Sequence, residues 1–296
     1  MLHEFAVEPK LLGTWESFHY LHEKFGVPKA RLIAEFPKKW RKMVHEAADN
    51  FSVRQRKILE EWLADKGAFL VPSGRDYAMP DNWLESAESA HAEKPFHAIL
   101  ACENPRANPA VLSADSPITE THHLFTCPHE CAMPKKLAGY LAVSSSLLRH
   151  SREIIFVDPY FKAEKKWGEP LREMLRCIPV EPTKLKYCVN ISPNGESQDF
   201  RVSELKEKLP RFIPKNFSLN IVMIEKVLGH DTHNRFILTE RGGLKFPWGL
   251  DVLEGSPEDI VNLMDKDTHQ AKFAEYSTLT GHSVVATLMI TGTAEL

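Results

Sequence analysis

The chain has 296 residues, of which 43% are hydrophobic and 26% charged, and its formal net charge is −3. That length exceeds one average domain, and the balance excludes a disordered or fibrous chain. The weakly acidic total excludes a global basic field, so any anionic ligand has to be held by a local patch.

No apolar run reaches the about 18 residues of a membrane span. The opening residues, MLHEFAVEPK, lack the basic-then-apolar order of a secretory signal. A cytoplasmic protein without a transmembrane segment is therefore expected. The five cysteines, Cys102, Cys127, Cys131, Cys177 and Cys188, are odd in number and scattered, which points to free thiols.

From Thr14 to about Asp65 apolar positions recur at helical spacing, as in WESFHYLHEKF, ARLIAEF and VRQRKILEEWLADKG, and predict four short helices. AFLVP and FHAILAC read as brief strands, with DNWLESAESAHAE between them as a helix opened by an Asp or Asn cap. The Pro-, Asn- and Ser-rich passage 103–120 reads as a linker. The predicted organisation is thus a helix-rich α+β module over 1–120 and a second domain over 121–296.

In the second domain EIIFVDPYF, LKYCVNI and FSLNIVMIE read as strands, and WGEPLREMLRCI and VSELKEKL as helices between them. Strands separated by helices of this length imply a mostly parallel sheet covered on both faces. NRFILT and LKFPWG then form a hairpin signal across Glu240, Arg241, Gly242 and Gly243. Helical stretches near SPEDIVNLM and HQAKFAEY and a last strand, SVVATLMIT, complete the pattern.

The hairpin holds the chemistry. His233 and Arg235 are two apart, so on a strand they share a face. An imidazole beside a permanent cation suits a phosphate, with the ring attacking phosphorus or accepting a proton. Glu240 is placed to orient the histidine of this or a second copy of the chain. Gly242, Gly243, Gly249 and Asp251 follow, and the glycines allow backbone amides close to phosphate oxygens.

The spacing His-x-Arg-x4-Glu-x8-Gly-Leu-Asp resembles the phospholipase D superfamily signature, His-x-Lys-x4-Asp, with Arg235 in the lysine position and Glu240 in the aspartate position. The string HNRFILTERGGLKFPWGLD is closer to the carboxy-terminal phospholipase D-like domain of MIT-domain proteins, and EIIFVDPYF is similar to the first strand of bacterial phospholipase D-like domains. The likeness spans roughly residues 135–296. It implies an α/β fold with a mixed sheet flanked by helices. It also implies a cofactor- and metal-independent phosphodiesterase, with a nuclease of the kind found in bacterial phage defence as the expected form. That chemistry uses two histidines, and one motif copy implies a homodimer that joins two His233 residues. Leu250 and Asp251 stand where the family has small polar residues. The second reading is therefore an inactive module that binds phosphate of nucleic acid or acidic lipid headgroups, or scaffolds a larger protein complex.

Other groups compete for attention. His230 and Asp231 precede the motif and are equally ordinary turn residues, and Asp158 ends a strand where α/β sheets face ligands or, equally, forms an Asp-Pro turn that fixes the strand exit. His122, Cys127, His129 and Cys131 lie within ten residues and offer a zinc alternative, with a loop of free thiols as the default. Lys38, Lys39, Arg41 and Lys42 surround Trp40 as a nucleic-acid patch or, preferred here, a solvated helix face.

Overall fold

Alternation of apolar strands with capped helices builds each of two compact units, Leu2–Pro128 and His129–Leu296, the latter joined by Met1. The computed structural model describes residues 1–65, 69–78, 82–114, 118–179, 183–190, 197–225, 234–255 and 257–295. His230, Asp231 and His233 lie outside them.

The first unit contains β1 (His3–Val7), α1 (Trp15–Lys24), β2 (Arg31–Glu35), α2 (Trp40–Ala47), α3 (Val53–Ala64), β3 (Leu70–Pro72), α4 (Trp83–Glu93), β4 (Ala98–Ala101) and β5 (Val111–Ser113). Its sheet has the order β3-β2-β1-β4-β5, and every neighbouring pair is parallel. This is a doubly wound order, reversing between β1 and β4. Helix starts follow the expected chemistry: Asn82 accepts from Glu85 N, and Ser52 closes a capping box with Gln55.

The unit is helix-rich as expected, but its α+β reading and the four helices of 14–65 are corrected by the parallel sheet. Within 14–65 there are three α-helices and a strand, because ARLIAEF contributes β2. Four of that strand's five residues are buried. A short run buried on both faces carries no period that separates strand from helix.

The second unit contains β6 (Glu130–Pro134), α5 (Leu137–Arg149), β7 (Glu153–Val157), α6 (Lys165–Arg176), β8 (Lys184–Asn190), α7 (Gln198–Lys208) and β9 (Ser218–Glu225). It continues with β10 (Arg235–Thr239), β11 (Gly243–Phe246), β12 (Glu258–Leu263), α8 (Lys266–Thr278) and β13 (Ser283–Thr291). The sheet runs β13-β9-β8-β7-β10-β11-β12-β6. β7, β8 and β9 are parallel, and the remaining pairs are antiparallel, so the sheet is mixed.

The hairpin strands form as expected. SPEDIVNLM, expected helical, instead supplies β12, whose burial alternates at its start in the two-residue rhythm of a strand. Its partner β6 lies in a segment read as a loop. No helix among the described residues is long and apolar enough to cross a membrane.

The junction of β6 and α5 is tight. A Cβ at Gly139 would overlap the Pro134 carbonyl oxygen and stand 2.9 Å from Met133 Cγ. Gly139→Ala should therefore push α5 off β6 and lower unfolding stability by about 1–3 kcal/mol, as measured by urea denaturation. Unchanged stability would contradict this packing.

Candidate functional site

Asp158 follows β7 directly and is 1% exposed. β10 runs antiparallel to β7 with Phe236 opposite Val157, so Arg235 enters beside that carboxylate. Arg235 Nε is 3.8 Å from Asp158 Oδ1, its NH1 donates to Pro247 O at 2.9 Å, and its Cζ lies 4.9 Å from the Tyr160 ring centroid.

β11 ends at the same edge, opposite Arg235, and the loop 247–251 folds back over the site. Asp158 holds this loop by accepting from Leu250 N at 3.2 Å while also accepting from Tyr160 N at 3.0 Å. Lys135, fully buried just after β6, donates to Trp248 O at 2.7 Å and Asp251 Oδ1 at 2.8 Å. The Tyr140 hydroxyl lies 2.7 Å from Asp251 O and 3.1 Å from Gly249 O. Trp248 N donates to Asp259 Oδ2 at 3.2 Å.

Gly249 has φ +104°, in the region that only glycine enters readily, and a Cβ there would stand 3.0 Å from Asp251 Oδ1. Its role here is backbone freedom at a crowded loop.

Two cations, Lys135 and Arg235, face three carboxyl groups, Asp158, Asp251 and Asp259. Burial pushes the Asp158 and Asp259 carboxyls above the usual carboxylate range, against the backbone donors and nearby cations that lower them. Burial, then the neighbouring carboxylates, pushes the Tyr140 phenol up, so it stays a donor. Lys135 cannot present its charge outward. Arg235 is 18% exposed in its side chain and can, while Trp248 on the neighbouring loop is 63% exposed.

Of the expected site residues, the fold brings Arg235, Gly249 and Asp251 together and joins Asp158 to them. It does not bring Glu240, Gly242 or Gly243. These stand at the other end of β10, about 16 Å away at the rise of a strand. There Glu240 accepts from Arg152 N at 2.9 Å and Glu153 N at 3.0 Å. Gly242 N donates to Thr239 Oγ1, and a Cβ at Gly243 would stand 2.7 Å from Met264 Sδ. Their amides and space serve the hairpin turn and the core.

Of the zinc alternative, His122 and Cys127 belong to the first unit and His129 and Cys131 to the second. The His122 ring stacks on His123 and accepts from Leu124 N, and Cys131 lies in β6. Among the described residues, the groups placed to share an ion with Cys127 are His3 and His97. Around Trp40 the solvated-face reading fits: Trp40 is buried with Nε1 donating to Val7 O, and Lys38, Lys39 and Lys42 are exposed.

Lys135, Tyr140 and Asp259 were not anticipated, and nothing in local periodicity marks them. Equally unmarked is a cleft of about 700 Å³ in the first unit, at the carboxyl ends of β1 and β4. There Glu8 accepts from Cys102 N at 2.8 Å. Burial, then Glu8, pushes the Cys102 thiol up to about 12, so it is no nucleophile at neutral pH. The lining sets Glu8, Glu46 and Glu103 against Lys10 and Arg106, so charge selects neither anion nor cation.

No protein-family model and no curated protein matches the chain. Among solved structures it is similar to TrmBL2, an archaeal chromatin protein described as showing a novel mode of DNA binding. The identity is 13% and the TM-score 0.30, over 53% of this chain and 55% of that one. The chain thus spans about half the length of that neighbour, and a likeness at this score carries no argument.

Two outcomes follow from the buried network. Lys135→Met leaves Asp251 and the Trp248 carbonyl facing apolar surroundings, and should cost about 3–5 kcal/mol in denaturant unfolding. A loss below about 1 kcal/mol would show that the pair does not hold the loop. Asp158 has a folded-state pKa raised above its unfolded value, so its contribution is fullest in acid and fades as pH rises through the folded pKa. The stability of Asp158→Asn relative to wild type should therefore improve as pH rises from acid toward neutral. A flat or opposite trend would contradict the burial of an ionisable group there.

Proposed function

We propose that the second unit is a phospholipase D-like phosphodiesterase acting on nucleic acid at the 247–251 edge of its mixed sheet. One observation carries the reading. Arg235, two residues after His233 in the chain, stands at the carboxyl end of β7 with a side chain that is 18% exposed, next to the loop that carries the exposed Trp248. A guanidinium suits a phosphate oxygen, and an exposed indole is a stacking platform for a base.

In this reading a ring nitrogen of His233 attacks phosphorus, forming a nitrogen–phosphorus bond as the bond to the leaving oxygen breaks. Arg235 neutralises the charge that develops on the phosphoryl oxygens. The His233 of a second copy protonates the leaving oxygen, then takes a proton from water, which attacks phosphorus and frees the first histidine. A single motif copy makes the homodimer part of the proposal.

A second reading is binding without cleavage, of nucleic acid or an acidic lipid headgroup or within a larger complex. It is favoured by the position of Glu240, which serves backbone amides at the far end of β10, and by the existing contacts of Arg235 with Pro247 and Tyr160.

Single-stranded DNA and RNA oligonucleotides incubated with the full chain and EDTA should be cut. His233→Ala should abolish cleavage while leaving binding, and light scattering should show a dimer. Trp248→Ala should weaken binding about tenfold or more through the lost stacking. Binding without cleavage by a monomer would select the second reading. Cleavage that survives His233→Ala, or that stops on chelation, would overturn the histidine mechanism.

A further inference from the structure

Three donor side chains of the first unit converge at the amino end of β1, away from the cleft at its carboxyl end. His3 lies on β1, and His97 immediately precedes β4, whose parallel pairing with β1 aligns Phe5 with Ala98. The two imidazole centroids are 4.3 Å apart. Cys127 arrives from the end of the unit, positioned by Phe125, which packs against Phe5 and Phe25 at 5.7 and 6.0 Å. One ligand-capable atom of each residue lies within 4.8 Å of the others.

Several features mark this as more than a packing coincidence. His97 Nε2 is buried without a hydrogen-bond partner, a state native interiors avoid unless something else satisfies the atom. Burial, then His97, the chain's amino terminus and Arg31, lowers the His3 pKa to about 4, and burial followed by Arg31 lowers that of His97. Both rings are therefore neutral near pH 7, the form that ligates metal. Burial raises the Cys127 thiol to about 11, opposed by Arg31, so a metal has to displace its proton to solvent. Arg31 counts against a dication, but its NH1 is 3.4 Å from Glu120 Oε1 and its Nε is held by Phe125 O at 3.0 Å.

We propose that His3, His97 and Cys127 form a zinc site of two imidazoles and one thiolate, with a fourth position open to water. The donor set is borderline-soft, which selects Zn²⁺ over the oxygen-seeking Mg²⁺ or Ca²⁺. Zinc–ligand bonds of about 2.0–2.3 Å place tetrahedral donors about 3.5 Å apart, within reach of side-chain torsions from the observed spacing. The set differs from the His122, Cys127, His129 and Cys131 group by replacing neighbours in sequence with neighbours in the fold.

The test uses the full chain without a histidine tag, stripped with a chelator and titrated with Zn²⁺ against a chromophoric competitor, then with Co²⁺. One equivalent should bind, and Co²⁺ should give a thiolate-to-metal charge-transfer band with tetrahedral d–d absorption. Cys127→Ser should remove that band, and His97→Gln should weaken Zn²⁺ binding by at least about tenfold. Cys131→Ser should change neither. Thermal unfolding of the metal-free variants verifies their folding. Should a variant fail to fold, the wild-type Co²⁺ spectrum decides: absence of a thiolate band overturns the proposal. A band that persists in folded Cys127→Ser overturns it as well.

Discussion

An ammonium group buried with no exposed surface dictates the arrangement of the second unit's loop edge. Lys135 is carried into the interior by the tight join of β6 and α5, and an unpaired charge there would cost several kcal/mol. Asp251 and the Trp248 carbonyl are its acceptors, so the loop 247–251 has to close over it. Closure then explains the rest. Gly249 takes a positive φ, Leu250 N meets Asp158, Pro247 O meets Arg235, and the Trp248 ring is left outside. The candidate site is thus a consequence of one buried charge and the chain path that satisfies it.

The first unit follows a different logic. Its parallel sheet is buried between helices, and its polar features sit at the two ends of the strands rather than across a face. At the carboxyl ends Glu8 and Cys102 bridge β1 and β4 around the point where the strand order reverses. At the amino end of β1 the imidazoles of His3 and His97 meet Cys127. Each end gathers residues from separate parts of the chain, as doubly wound sheets do.

Much of the second unit's framework was legible. An apolar run closed by Asp-Pro gives β7, and alternation around a glycine pair gives β10 and β11. Two strands were read as helix, β2 and β12, because short runs such as RLIAE and EDIVNL fit more than one period. Of the residues gathered at this edge, Arg235, Gly249 and Asp251 were named from the hairpin signal, and Asp158 was left between a ligand-facing group and an Asp-Pro turn. Lys135 was hidden because a lysine in Met-Pro-Lys-Lys looks solvated, and its partner lies 116 residues away. Glu240, Gly242 and Gly243 looked like ligand groups by spacing alone. Strand direction places them at the wrong end of β10 for Arg235. Cys127 shows the same effect: its neighbours in sequence are not the residues its thiol meets.

The edge formed by Arg235 and the loop 247–251 is proposed to contact a phosphodiester strand. Hydrogen–deuterium exchange of the full chain, with and without a single-stranded oligonucleotide, tests it without altering any residue. Slowed exchange is expected at the amides of 234–236 and 248–251, with the hairpin turn at 240–243 unchanged. Protection confined to the turn, or to the first unit alone, would contradict it.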